Sequence, residues 1–199
     1  MQVLGAAEVN EWFAKFPEGS MEYVQCDARG LFFTSPEANC IDIEYPPKLE
    51  RLPFLARYLA TIGYEDWDFR GALLWFTDWG VWNAHDEGPG YRIIEAMNRA
   101  VGQPRSFESA PGHSFRADEL QDAIGMLLQP MIFGWDASYV PSWSYGTGEF
   151  FLHVSHDSFV SVVTRTKEFY DKAFGLLDGL DLKPKTGHEL QVRRFCRVR

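Results

Sequence analysis

Three polar stretches hold the side chains whose types and spacing could do chemistry. The first is Thr77-Asp-Trp-Gly-Val-Trp-Asn-Ala-His-Asp-Glu-Gly-Pro-Gly-Tyr91. Asp78, His85, Asp86 and Glu87 are the residue types of a general acid, a general base or an oxygen and nitrogen metal site. His85-Asp86-Glu87 are consecutive, however, and three consecutive side chains cannot face one centre on an ordinary backbone. A structural alternative has Trp79 and Trp82 packing on the core while the acids favourably charge the N-terminus of the next helix. The second stretch is Gly134-Trp-Asp-Ala-Ser-Tyr-Val-Pro-Ser-Trp143. Trp135, Tyr139 and Trp143 offer large apolar bodies with one polar tip, and Asp136 adds a carboxylate, a combination suited to a ligand or a partner.

The third stretch is His153-Val-Ser-His156-Asp157. HxxH places two imidazoles on one face only if the segment is helical, and this one is strand-like, so the two point to opposite faces. Ser155-His156-Asp157 has the residue types of a catalytic triad, but triads assemble from distant segments and sequence neighbours do not reproduce that geometry. A tight turn in which Asp157 bonds its own backbone explains the same residues. His85, His156 and Asp157 are therefore the catalytic candidates. Asp78, Trp79, Trp82, Trp135, Asp136, Tyr139 and Trp143 are the ligand or partner candidates, and neither a metal nor a cofactor is expected. No GxGxxG, P-loop, GxSxG, HExxH or EF-hand pattern occurs.

The elements that must position these residues follow from periodicity. Val9, Trp12, Phe13 and Phe16 mark one face of a first helix that Pro17 stops. Met21–Cys26, Leu31–Thr34 and Cys40–Tyr45 are strand-like runs with short turns between them, which predicts a three-stranded antiparallel meander. Pro53 opens a second helix whose apolar stripe is Phe54, Leu55, Tyr58, Leu59 and Ile62, with Gly63 as its stop. Gly71–Phe76, apolar at successive positions, predicts a central strand buried on both faces. A third helix is expected near 91–101 on Ile93, Ile94, Met97 and Val101. A fourth is expected near 117–128 on Leu120, Ile124, Leu127 and Leu128, closed by Pro130. Gln103–His113 between them reads as a loop. Met131–Val140, Phe150–Ser155 and Phe159–Arg165 are strand candidates, the last two joined by a tight turn at 156–158. A fifth helix near 167–177 closes the pattern.

Strands in two clusters around central helices predict an α+β fold, a single domain of mainly antiparallel sheet packed against amphipathic helices. Its expected extent is residues 1–180, with a basic C-terminal tail over 181–199. The 199 residues accommodate one generous domain. A 46% apolar, 24% charged composition excludes low-complexity disorder and collagen. Cys26, Cys40 and Cys196 are odd in number and irregularly spaced, which argues against a disulfide framework. The N-terminal residues carry neither a basic region nor a long apolar one, and no run reaches membrane-spanning length. A cytoplasmic protein without membrane contact is expected.

The net charge is −9, and 16% of the chain is aromatic. The charge is unevenly placed. Residues 182–199 carry +5 and the remaining body −14, and no Lys or Arg lies between Arg116 and Arg165. Such a body repels phosphate backbones, so nucleic acid is not an expected partner. Acidic charge with Trp and Tyr anchors is the physics by which small bacterial immunity and inhibitor proteins hold basic partners. The first expectation is thus a partner-binding protein engaging a basic protein. The alternatives are a small-molecule domain with an aromatic pocket, and a hydrolase using a His with nearby carboxylates.

Overall fold

The strand Gly71–Asp78 shows why the sheet forms where it does. Ala72, Leu74 and Phe76 point to one side and Leu73 and Trp75 to the other, and all five are buried. Successive apolar residues, without alternation, belong to a strand covered on both faces. The computed structural model describes residues 1–5, 7, 8, 11, 24–27, 30–33, 39–62, 68–78, 88–107, 109–144, 150–164, 167, 168, 170 and 171. The first-helix stripe, Trp79, Trp82, His85, most of the fifth helix and the basic tail lie outside these residues.

Nine strands occur among the described residues: β1 (Gln2–Leu4), β2 (Val24–Asp27), β3 (Gly30–Phe33), β4 (Asn39–Glu44), β5 (Gly71–Asp78), β6 (Gly112–Arg116), β7 (Asp136–Pro141), β8 (Phe150–Ser155) and β9 (Phe159–Thr164). Seven form one sheet in the order β1-β6-β5-β7-β8-β9-β4, antiparallel at every step. β2 and β3 pair as a separate hairpin, and β3 lies against β5. Three helices, α1 (Leu52–Thr61), α2 (Pro89–Ala100) and α3 (Leu120–Phe133), cover one face of the sheet. This is the expected α+β domain. None of the helices is long and apolar enough to cross a membrane.

α3 lies between the other two helices and antiparallel to both. Gly90, at the start of α2, abuts Phe133, while Met97 reaches Gly125. At the end of α1, Tyr139 Oη donates to the Ala60 carbonyl at 2.8 Å and Trp143 Nε1 to the Ile62 carbonyl at 3.3 Å. Both donors belong to the C-terminal side of β7, the end at which α3 begins. The starts of α1 and α2 therefore share the opposite end of the sheet with the close of α3.

Several expectations need correcting. Cys40–Tyr45 does not extend a meander. It becomes β4 and pairs with β9 from Asn39↔Thr164 to Glu44↔Phe159, placing Ile41 and Ile43 beside Val160 and Val162 in the core. Burial of that alternating face outweighs pairing with the nearest run in sequence. Pro130 does not stop the fourth helix; it sits inside α3, which continues to Phe133 and ends at Gly134 in the left-handed conformation (φ 65°). The strand expected from Met131 consequently starts at Asp136. β1 and β6 carry too few β-branched residues to be read as strands, and β6 opens inside the segment read as a loop. On α1 the buried stripe runs through Leu52, Leu55, Ala56 and Leu59, leaving Phe54 exposed. Ile93 and Val101 of the third-helix stripe are also exposed, because α2 turns Gly90, Ile94 and Asn98 inward.

Candidate functional site

The second and third polar stretches meet at one end of the sheet, where the last strand residue of the first stretch, Asp78, also lies. Asp78, where β5 leaves the sheet, stands opposite Asp136, where β7 enters it, after a register slip beyond Phe76. Such bulges end regular pairing and re-aim side chains. Asp136 in turn reaches the β8–β9 turn. Its Oδ1 accepts the His156 backbone N–H at 2.8 Å, and both its oxygens lie 3.0 Å from His156 Nδ1. An ionised carboxylate only accepts, so Nδ1 carries the proton and donates. On the far side of the ring, Nε2 lies 3.5 Å from Asp157 Oδ1. The imidazole is thus bracketed by two carboxylates, one largely buried and one exposed.

The turn itself is built by Ser155, whose Oγ accepts the Asp157 N–H at 3.2 Å while its carbonyl accepts the Ser158 N–H. Ser158 adopts φ 64°, the left-handed value that lets three residues reverse the chain. Tyr45, just past β4, donates its hydroxyl to the Ser155 carbonyl at 3.3 Å. Burial, and then the negative charge of Asp136, hold the Tyr45 phenol well above its ordinary range.

Behind this turn runs a row of polar side chains on the face away from the helices. Register places Ser138, His153, Ser161 and Asp42 side by side across β7, β8, β9 and β4. Ser161 Oγ donates to Asp42 Oδ1 at 2.6 Å, and Ser138, Ser161 and Asp42 are all buried. Burial lowers the affinity of His153 for a proton. Asp136 and Asp42 oppose that effect, and His156 adds to it. His153 was the one member of this row that motif reading reached. A faint signal for the others was present: Asp42 and Ser161 each interrupt an Ile-x-Ile or Val-x-Val strand with a single polar residue.

The aromatic candidates go elsewhere. Trp135 is buried on the helix side, stacked on Phe107 at 5.5 Å and set edge-on to Phe76 and Tyr91. Tyr139 is wholly buried on the same side, and Trp143 packs against Phe150. Asp136 faces the opposite way. The structure therefore brings Asp136, His156 and Asp157 together, with the backbone of Asp78, and it separates Trp135, Tyr139 and Trp143 from them.

Chemically, the arrangement offers an imidazole held between two carboxylates at one end of the sheet. Among the described residues no group of three or more His, Cys, Asp or Glu side chains is disposed to hold a metal ion. Comparison with protein-family models, with curated proteins and with solved structures finds no match to this chain.

Proposed function

We propose that this chain is a cytoplasmic, acidic partner-binding protein of the immunity or inhibitor type, engaging a basic protein. The observation that supports this is the convergence of the Asp136 and Asp157 carboxylates on His156, with the backbone of Asp78 opposite Asp136, at one end of the sheet. The body that presents them has no Lys or Arg between residues 116 and 165. Clustered charge of one sign steers an oppositely charged partner and raises its rate of encounter. The bracketed imidazole favours binding over catalysis, since each of its nitrogens already faces a carboxylate. Titration with the basic proteins encoded beside its gene tests the proposal. A one-to-one complex is expected, with an association rate that falls steeply with salt and falls again in an E44K/D157K variant. Absence of a complex with every such protein overturns it.

A second reading, a hydrolase using His156, draws on one observation. Asp136 orients the imidazole through Nδ1, as a carboxylate orients a general base. Any ester or amide hydrolysis by the purified chain must then disappear in H156A, and activity that survives eliminates this role.

A further inference from the structure

Side chains close the outer edge of the sheet at β1. This strand pairs with β6 from Gln2↔Ser114 to Leu4↔Gly112 and stands last in the strand order, so its other side is the edge. Backbone groups alternate in direction along a strand, and those of Val3 point away from β6. The Val3 N–H donates to Gln103 Oε1 at 2.8 Å, and Gln103 Nε2 donates to the Met1 carbonyl at 3.1 Å. Arg105 Nη1 donates to the Val3 carbonyl at 3.2 Å. The Gly5 N–H donates to Glu8 Oε2 at 2.7 Å, and the same carboxylate oxygen also accepts from Arg105 Nη1. One amide, one guanidinium and one carboxylate thus occupy four outward backbone groups between Met1 and Gly5.

The end of α2 aims two of these side chains. Gly102 turns the chain at φ 74°, and its N–H donates to the Arg99 carbonyl at 3.0 Å. The Gln103 N–H then donates to the Asn98 carbonyl at 2.9 Å, and Asn98 Nδ2 donates to the Arg105 carbonyl at 3.4 Å. Asn98, wholly buried, therefore holds both ends of the Gln103-Pro-Arg105 segment. The Arg105 N–H bonds back to the Gln103 carbonyl at 2.7 Å, and Pro104 has no N–H. The segment has no backbone donor to offer β1, and its side chains make the contact instead. An uncovered edge is a template for another chain, which is why natural sheets blunt or cover their edges.

We infer that Gln103, Arg105 and Glu8 form a latch that keeps β1 from pairing with β1 of a second copy of this chain. The latched groups are self-complementary about Val3. In an antiparallel pair centred on that residue, each Val3 N–H meets the other copy's Val3 carbonyl. Each Gly5 N–H meets the other copy's Met1 carbonyl in the same register. The four groups a second copy needs are therefore the four that the latch occupies. A two-fold axis relates such copies, and the contact closes at a dimer. The Arg105 and Glu8 side chains are 38% and 44% exposed, so the outer half of the latch opens without unpacking the core.

The test removes the latch and leaves β1 intact. Full-length Q103A/R105A is compared with wild type and with R92A, which deletes an exposed arginine on α2. Unfolding midpoints are measured first. If Q103A/R105A does not fold, E8A/R105A takes its place, since that exposed pair contributes little to stability. The readouts are sedimentation velocity over a concentration series and amide exchange at Val3 and Gly5. The latch variant should dimerise at concentrations at least about 10-fold below any at which wild type does. Its Val3 and Gly5 amides should exchange fast when dilute and slowly when concentrated. A variant that stays monomeric across the series overturns the latch. A dimer that leaves those two amides unprotected pairs elsewhere and overturns it as well. Equal dimerisation of wild type or R92A does the same.

Discussion

Asp136 holds His156 twice over, its Oδ1 accepting the backbone N–H at 2.8 Å while both carboxylate oxygens meet the ring Nδ1 at 3.0 Å. The two residues are twenty positions apart, and the link ties the entry of β7 to the β8–β9 turn. Because β7 also pairs with β5, one carboxylate fixes the relative position of three strand ends. A side chain with this many local bonds is a positioning element whatever the end of the sheet contacts.

Removing that carboxylate should loosen the turn. D136A is expected to destabilise the fold by about 1–3 kcal/mol, the usual cost of deleting hydrogen bonds to a charged acceptor. The lower part of that range applies, since the His156 side chain is 35% exposed and solvent screens the charge. D136N keeps an acceptor for the backbone N–H and should cost less. Urea denaturation of the three proteins measures the order, and equal stability of D136A and wild type contradicts the positioning role.

Gly90 is required by its neighbour. A Cβ there would come within 2.5 Å of the Trp135 indole, the wall of the aromatic cluster beneath α2. In an exposed helix Gly to Ala gains about 1 kcal/mol. Here overpacking should reverse the sign, and G90A is expected to cost about 1–3 kcal/mol. Pairing it with W135F, which removes ring atoms from the clash, should recover part of the loss in a double-mutant cycle. Simple additivity of the two substitutions contradicts the contact.

Which parts of this were legible beforehand depends on where the information lies. α1, α2, β5 and the β8–β9 hairpin were readable because periodicity and turn residues act within a dozen positions. Pairing of β4 with β9 was not, because it is decided by the matching of Ile41 and Ile43 to Val160 and Val162 across the chain. Pro130 misled for a local reason: a proline normally ends a helix, yet α3 carries on to a glycine with φ 65°. At the candidate site the residue types of the three stretches were visible in the sequence. The meeting of the second and third, with Asp78 beside them, was not, since it needs the Asp78–Asp136 register and the bond to His156. The aromatic residues misdirected attention, because Trp135 and Tyr139 alternate with Asp136, which faces away from the helices, and strand parity sends them to the helix side.

Ser144 carries a pair of bonds that open the second hairpin. Its Oγ donates to the Phe150 carbonyl at 2.9 Å and accepts the Phe150 N–H at 3.0 Å, all of it buried. S144A leaves both backbone groups without these partners, and a buried orphan costs about 1–3 kcal/mol. Thermal unfolding should register a lowered midpoint, with faster amide exchange at Phe150. Unchanged exchange at that amide would show that the backbone bonds are made in another way.

Stability should fall as the solution is acidified from neutrality, well before the carboxylates titrate. His113 is wholly buried, and burial pushes its proton affinity down from an ordinary 6.5 to about 3. Its Nε2 lies 3.0 Å from Asn98 Oδ1, whose amide nitrogen already donates to the Arg105 carbonyl. Nε2 therefore donates, and the ring is neutral. Below pH 6.5 the unfolded chain binds a proton at this residue and the folded chain does not, so stability rises with pH across that interval and is lost on going down. One such histidine gives a slope of at most about 1.4 kcal/mol per pH unit. His153, lowered in the same direction by burial, adds to it. Glu8, its carboxyl lowered by the Gly5 amide and Arg105, and Glu119, where burial pushes upward but the α-amino group and the Arg116 amide win and lower it, enter only at lower pH. Urea unfolding at pH 7.5, 6.5, 5.5 and 5.0 should show a flat region above 6.5 and a decline beneath it. In H113Q, which keeps a donor for Asn98 but has no proton to gain, the decline should be shallower. Parallel curves for the two proteins would mean that His113 does not set the acid lability.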